Sequence, residues 1–501
     1  MQRQAALQHF LDSMKPVPLP TEGARNHWHR STVLPVALLS VLALSGCASL
    51  QTPSAPTPLQ TPAAWTASAN TGEATSLAGW WQRFGDPALA PLIEQALLGQ
   101  TDIAAAQARL RQARAQRTLA SAQLSPSVSG SGSAQANRSD GGHGESFRTG
   151  LDASWELDLW GASAAGVQAA EATARASALT LAQTRVAVAA EVAATLLELR
   201  GSQAREAIAR RNLALQLQTL QIVQWRLEAG LVTQLDVEQA RTSVEQTRAQ
   251  LPALQGAAAQ AMNALAVLTG QAPGALQARL AAPASLPDSP PTALPAAPPD
   301  LVLAIPAEVL RQRPDVQAAE RRLAAAAARV SEADAARLPS LQLGGSIGLN
   351  ALTLGSLASG SGVASLLASV KLPVFDGGRL RAQVQVQEAA RDEAEIGYRA
   401  AVLAALQEVE DALIGLRSTR QQLAAQQAAG VSAQRTATLA EQRYRSGLVD
   451  FQNVLQSQRT LLSAEDSVAG TTTSLATAHV RLYKALGGGW SPTSEEEEFT
   501  R

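Results

Sequence analysis

The sequence predicts a mainly α-helical chain that carries a transmembrane β-barrel, written as a tandem repeat of two strands set between very long helices. Three observations carry that class. First, the chain repeats itself: Arg226-Leu-Glu-Ala-Gly-Leu-Val232 returns 217 residues later as Arg443-Tyr-Arg-Ser-Gly-Leu-Val449. Further anchors match at nearly the same offset: Thr101-Asp-Ile-Ala-Ala-Ala with Pro314-Asp-Val-Gln-Ala-Ala, Leu124-Ser-Pro-Ser-Val with Leu338-Pro-Ser-Leu, and Ser154–Trp160 with Ser369–Phe375. So the repeat spans almost the whole chain. Second, two proline-free segments are too long for helices of an ordinary globule. Third, four short segments alternate polar and apolar residues with a period of two.

The elements follow in chain order. Val33 to Leu44 is a short apolar run behind Arg25 and Arg30, the layout of a secretory signal peptide rather than a spanning helix. It ends in Leu44-Ser45-Gly46-Cys47, which looks like a bacterial lipobox, with Cys47 as the lipidated first residue of the mature chain. Cys47 is the only cysteine, so no internal disulfide is possible; a chance cysteine after an ordinary signal peptide is the plainer alternative. Ala48 follows it, where an Asp would suggest inner-membrane retention. Met14 offers an alternative start that would leave residues 1–13 outside the protein. The expected organisation is a signal peptide over 1–46, a lipidated flexible segment over 47–80, and a first repeat over 81–270. A Pro/Ala-rich segment over 271–300, a second repeat over 301–488 and an acidic tail over 489–501 complete it.

Each repeat opens with a leading helix, roughly Leu89–Leu124 and Ile305–Leu338. The strands come next. In Phe147–Leu159 the odd positions are mostly apolar, whereas Arg148, Asp152, Ser154, Glu156 and Asp158 fall on the even ones. Pro126–Asn137 sets Val128, Ala134 and Ala136 against five serines and amides at the odd positions from Ser129 on. Leu341, Leu343, Ile347 and Leu349 oppose Gln342, Ser346 and Asn350; Leu366, Ala368, Val370 and Leu372 oppose Ser369 and Lys371. A soluble sheet on helices is the bland reading. Strands of about ten residues with a strongly polar second face favour a barrel with a watery interior. The connections Asn137–Ser146 and Ala351–Gly362 read as loops outside the cell. Four strands cannot close, and open edges are not tolerated in lipid, so the chain must associate; bacterial barrels begin at about eight strands, which leaves two or three copies open.

The long helices run over Gly161–Ala229 and Gly377–Ser446, 69 and 70 residues without proline, each about 100 Å at roughly 1.5 Å per residue. Val402, Leu406, Val409, Leu413 and Leu416 keep a four-three spacing, as do Leu213, Leu217 and Leu220 with Leu227 one heptad further on, the seam of a coiled coil. Each helix stops at a glycine, Gly230 or Gly447, and a return helix starts at about Thr233 or Asp450. Pro252 is expected to break the first return helix, with Gly470 near the equivalent level of the second.

Composition excludes several function classes. Charged residues make up 17% and nearly cancel to −1, which argues against nucleic acid. Beyond the signal segment only His143 and His479 remain, with no second cysteine, so a zinc or haem site and an enzyme are not expected.

The lipobox, the strand–strand–long helix–return helix repeat and the two Arg-x-x-x-Gly-Leu-Val turns together resemble the TolC-like outer membrane factors, in their NodT-type lipidated form. That resemblance covers the mature chain. It implies a homotrimer in the outer membrane with a twelve-stranded barrel and a periplasmic helical tunnel. It also implies partnership with a periplasmic adaptor and an inner-membrane transporter, usually of the resistance-nodulation-division class, in drug efflux without a cofactor. On the same grounds Arg226, Gly230, Leu231 and Val232, with Arg443, Gly447, Leu448 and Val449, look like adaptor-docking tips, against a reading as helix punctuation. Asp236 matches a position where the family closes its tunnel with carboxylates; an ordinary first-turn acid is the alternative. The second repeat departs, with Asn453 and Gln456 where relatives often carry acids and Asp450 as the nearest remaining one. A type I protein-secretion duct and a pore-free structural lipoprotein are the other readings.

Overall fold

The computed structural model describes residues 62–66, 77, 79–139, 142–281 and 306–490. The lipobox Leu44–Cys47 lies outside them, as does the greater part of the Pro/Ala-rich segment. A short 3-10 turn at Trp80–Phe84 leads into α1 (Leu89–Gly99) and α2 (Thr101–Ala122), then strands β1 (Ser127–Ser139) and β2 (Gly142–Leu157). The first long helix, α3, spans Ala162–Glu228 and returns as α4 (Gln234–Leu268), followed by a single turn, α5 (Gln277–Leu280). The second half repeats the plan with α6 (Pro306–Gln312), α7 (Pro314–Ala335), β3 (Ser340–Ala351), β4 (Ser361–Lys371), α8 (Arg379–Arg445) and α9 (Phe451–Ala485).

The strands form one antiparallel sheet in the order β1-β2-β3-β4. The helices beneath keep that order: α2 lies on α3, α3 on α7, and α7 on α8. Further down the order becomes α4, α3, α9, α8. The chain is therefore a palisade in which α3 serves both levels and α8 runs along one side throughout.

Several expectations need correction. The leading helices are each broken in two, at Gln100 and at Arg313, both extended with ψ of 134° and 123°. Pro314 forces Arg313 out of the α region, and the Gln100 side chain caps α2 by accepting from the Asp102 and Ile103 N–H groups. Pro252 does not break α4, nor Gly470 α9; each return helix is a continuous 35 residues. Pro252 stands on an exposed face, away from the packed seam. The first hairpin connection is also tighter than expected, because Ser139 pairs with Gly142, and Leu354–Ser359 in the second is a 3-10 turn. The composition of 47–80 suggested a free tether, yet Trp65 is buried against Val409, Leu413 and Leu475.

The main core sits at the middle of α3. Leu181, Val188, Val192, Leu196 and Leu199 meet Leu265 of α4, Val480 and Tyr483 of α9, and the Trp80–Phe84 turn. Asp86, buried below that turn, takes Arg200 at 2.9 Å. Alanine and glycine bring the helices close: a Cβ on Gly201 would lie 2.5 Å from Thr473 Oγ1. Gly201→Val should therefore lower the melting temperature by the equivalent of about 1–3 kcal/mol of overpacking. A melt followed by circular dichroism checks this; an unchanged midpoint would mean the crossing is loose.

The coiled-coil seam is half as expected. In α8, Val402, Val409, Leu413 and Leu416 are buried. In α3, Leu217 is exposed while Asn212 and Gln216 are buried. The reason is that over this stretch, between the apolar cores above and below, α3 meets α9 through polar pairs. Arg205 binds Asp466 with two bonds of 2.7 and 2.9 Å, and Asn212 Nδ2 donates to Glu465 at 3.0 Å. The hydrogen bonds to Asp466 hold the Arg205 pKa above its ordinary value.

Candidate functional site

Two regions carry chemistry: the tips of the hairpins and the sheet. Both tips end in the same backbone lock. The Leu231 N–H donates to the Arg226 carbonyl and the Gly230 N–H to that of Leu227, each at 2.9 Å. Leu448 and Gly447 repeat this on Arg443 and Tyr444 at 2.9 and 3.0 Å. This 6→1, 5→2 pattern needs a left-handed residue, and Gly230 and Gly447 supply φ of 69° and 74°. The lock leaves Leu231 and Leu448 outside, 72% and 73% exposed. Val232 and Val449 tuck beneath, against a small core of Val223, Val237, Tyr444, Phe451, Val454 and Leu455. This core joins the two hairpins.

The two arginines of the repeated turn diverge. Arg443 is exposed, whereas the Arg226 guanidinium lies over the Tyr444 ring of the other hairpin, 4.3 Å from its centroid. Sequence reading missed Tyr444, because its counterpart in the first repeat is Leu227 and the aromatic residue is new to one copy.

Asp236 is half-buried and accepts from the Thr233 N–H at 2.9 Å and its hydroxyl at 2.7 Å. The acid thus fastens the start of α4 as one arm of a capping box. Asp450, at the start of α9, makes no such side-chain cap. Asn453 and Gln456 are exposed on α9, and no hydrogen bond joins them or Asp450 to Asp236 among the described residues. Gln456 opens onto a groove of about 430 Å³ shared with Gln426, Arg459, Thr460 and Ala464. Arg459 is the one ionised group in that lining, and it donates to Ser243 of the first hairpin at 3.0 Å.

The sheet register sorts its faces. Ser129 pairs with Asp152, which pairs with Ser346 and through it Ser365. Val128, Ala153, Gly345 and Leu366 form the neighbouring row on the other face. The apolar side is left uncovered: Val128, Ile347, Leu366 and Val370 are 66%, 63%, 87% and 71% exposed. The outer edges of β1 and β4 are unpaired among the described residues. Just below, Asp158 and Asp376 cap the starts of α3 and α8 on the Ala164 and Leu380 N–H groups, each at 2.8 Å. The Leu380 bond leads the interactions that hold the Asp376 pKa below the usual carboxylate range. No described helix is long and apolar enough to cross a membrane.

The described residues thus form helical hairpins hung from a four-stranded sheet with one bare apolar face. The chain belongs to the outer membrane efflux protein family, which it matches twice, over residues 92–271 and 305–488. It is 34% identical over 473 residues to the pyoverdine export outer membrane protein OpmQ of Pseudomonas aeruginosa, covering 90% of this chain and 95% of that one. It is 32% identical to the toluene efflux pump outer membrane protein TtgC of Pseudomonas putida, covering 89% and 93%. The solved outer-membrane channel OprN superposes with a TM-score of 0.81 at 34% identity, over 88% of this chain and 100% of that one. The protein is accordingly an outer-membrane protein of the efflux type, with the TolC-like fold.

Proposed function

We propose that this chain is the passive exit duct of a tripartite efflux pump of the resistance-nodulation-division type, releasing drugs or other small toxic compounds. One observation carries the reading: a four-stranded sheet with two open edges and an uncovered apolar face, in a chain of the efflux family. Lipid cannot accept open edges, so copies of the chain associate; the likeness to the TolC-like factors supports three of them, closing a twelve-stranded barrel with the apolar face outward. The helical palisades continue it as a tunnel, and Cys47 carries the lipid anchor. The relatives differ in cargo, from pyoverdine and toluene to cations. That spread supports a duct whose cargo is chosen by its partner transporter.

The tips, with Leu231 and Leu448 exposed, are the docking points for the periplasmic adaptor. Asp236, Asp450, Asn453 and Gln456 border the periplasmic mouth, and Asp236 supplies both a helix cap and negative charge. Asp236→Asn separates these roles, since Asn keeps a capping oxygen. We expect this variant to melt as the parent does and to show lower cation preference in planar bilayers. A purified trimer without channel activity, with or without this substitution, would overturn the duct. Resistance profiling of a deletion strain identifies the cargo.

A further inference from the structure

The polar face of the sheet carries a charged pair that the docking and gating residues leave unused. Arg148 and Asp152 stand four residues apart on β2, a distance of roughly 13 Å along a strand. Side chains standing upright at that spacing do not meet. Here they do: Arg148 Nη2 lies 3.6 Å from Asp152 Oδ1 and donates to Ser346 Oγ on β3 at 3.3 Å. The second Asp152 oxygen accepts from the Ser131 hydroxyl of β1, and Ser346 pairs with Ser365 of β4 at 2.8 Å.

The intervening position explains the geometry. Residue 150 is glycine, and its partner across to β3 is Gly348. With no side chains there, the guanidinium can lie down along the wall. The backbone also requires both glycines: a Cβ on Gly150 would sit 2.7 Å from the Ile347 carbonyl oxygen, and one on Gly348 2.5 Å from that of Thr149. Close strand approach and a recumbent arginine thus have one cause.

We propose that Arg148 and Asp152 form a charge-neutral, wall-hugging pair that makes this section of the exit indifferent to the sign of a solute's charge. Asp152 cancels Arg148 and holds it out of the lumen. The pair is a specificity determinant of the outer exit, separate from the periplasmic mouth, and it rests on the barrel reading above.

Cysteine labelling tests it. Cys47 is the only native cysteine, so the unmodified full-length protein is the blank. Ser133 faces Arg148 in the register, and Ser133→Cys is the reporter. Its reaction rates with a cationic trimethylammonium and an anionic sulfonate methanethiosulfonate are compared in purified protein. In the parent, the anion-to-cation ratio should match that of a free thiol. Asp152→Asn should raise it about fivefold and Arg148→Gln lower it about as much, the effect of one unscreened charge at close range in water. The double variant should return to the parent ratio, as should Asp152→Glu. A ratio within about twofold of the parent in both single variants overturns the proposal. If Asp152→Asn fails to assemble, Arg148→Gln reads the same claim with the opposite sign. A separate control covers the barrel: Ser129→Cys on the polar face should label much faster than Val128→Cys on the apolar face. Equal rates would sink the barrel reading, whereas a preserved contrast with an unmoved ratio would sink only the pair.

Discussion

Trp80→Ala should leave little folded protein at growth temperature. The indole is 1% exposed and stacks on Tyr483 with centroids 5.0 Å apart and planes 14° from parallel. Trp81 and Phe84 meet it edge-on at 5.7 and 5.9 Å. Removing a buried tryptophan costs about 3–5 kcal/mol, and each lost ring pair adds about 0.5–1.5 kcal/mol. The position is also architectural. The stack ties the turn before α1 to the last turns of α9, and the chain folds over it again where the Gly489 N–H donates to the Leu77 carbonyl at 3.1 Å. A Cβ on Gly488 would stand 3.0 Å from the indole Cδ1. Yield of detergent-soluble protein and its thermal midpoint measure the effect. Trp80→Phe should recover part of the loss; a normal midpoint in Trp80→Ala would show that the stack is incidental.

The double substitution Gly230→Val and Gly447→Val should abolish efflux while sparing the body of the protein. Neither glycine has a heavy atom within 4 Å of where a Cβ would go, so the penalty comes from φ alone. A β-branched residue in the left-handed region costs on the order of 1–3 kcal/mol. Because the tips are remote in sequence and packing from the Trp80 core, the cost falls on the locks that present Leu231 and Leu448. Resistance should drop to the level of a deletion strain, with trimers intact on a native gel. Replacing both glycines with Asn, which tolerates this region, should keep most of the activity. Full resistance in the valine double variant would reject the docking role.

What the sequence made legible follows from local physics. Strand faces could be read because a period of two is set by the pleat, and the observed register puts Ser129, Asp152 and Ser346 in one row. The tip turns could be read because only a glycine-like backbone reverses a helix so tightly. Packing between distant segments could not. Trp65 sits in a Ser/Thr/Pro/Ala stretch with no periodicity, yet it is buried. The four-three leucines of α3 suggested an apolar seam, but around residues 205–216 its partner α9 offers Glu465 and Asp466, so that stretch of the buried line is polar. Pro252 was misleading because its helix needs no hydrogen bond from it on an exposed face. For Asp236, position in the first turn pointed to a cap and the family resemblance to a gate; the Thr233 bonds establish the cap.

The equal lengths of the two hairpins have a consequence for how such a protein can change. Both long helices hold 67 residues and both return helices 35. The chain is a ruler marked twice, and neither half can be lengthened alone without stranding its tip below the other. One added heptad extends a helix by about 10 Å, and it must enter α3, α4, α8 and α9 together to keep the seams in phase. Hairpin length is therefore a quantised trait, adjusted in whole coordinated steps or not at all.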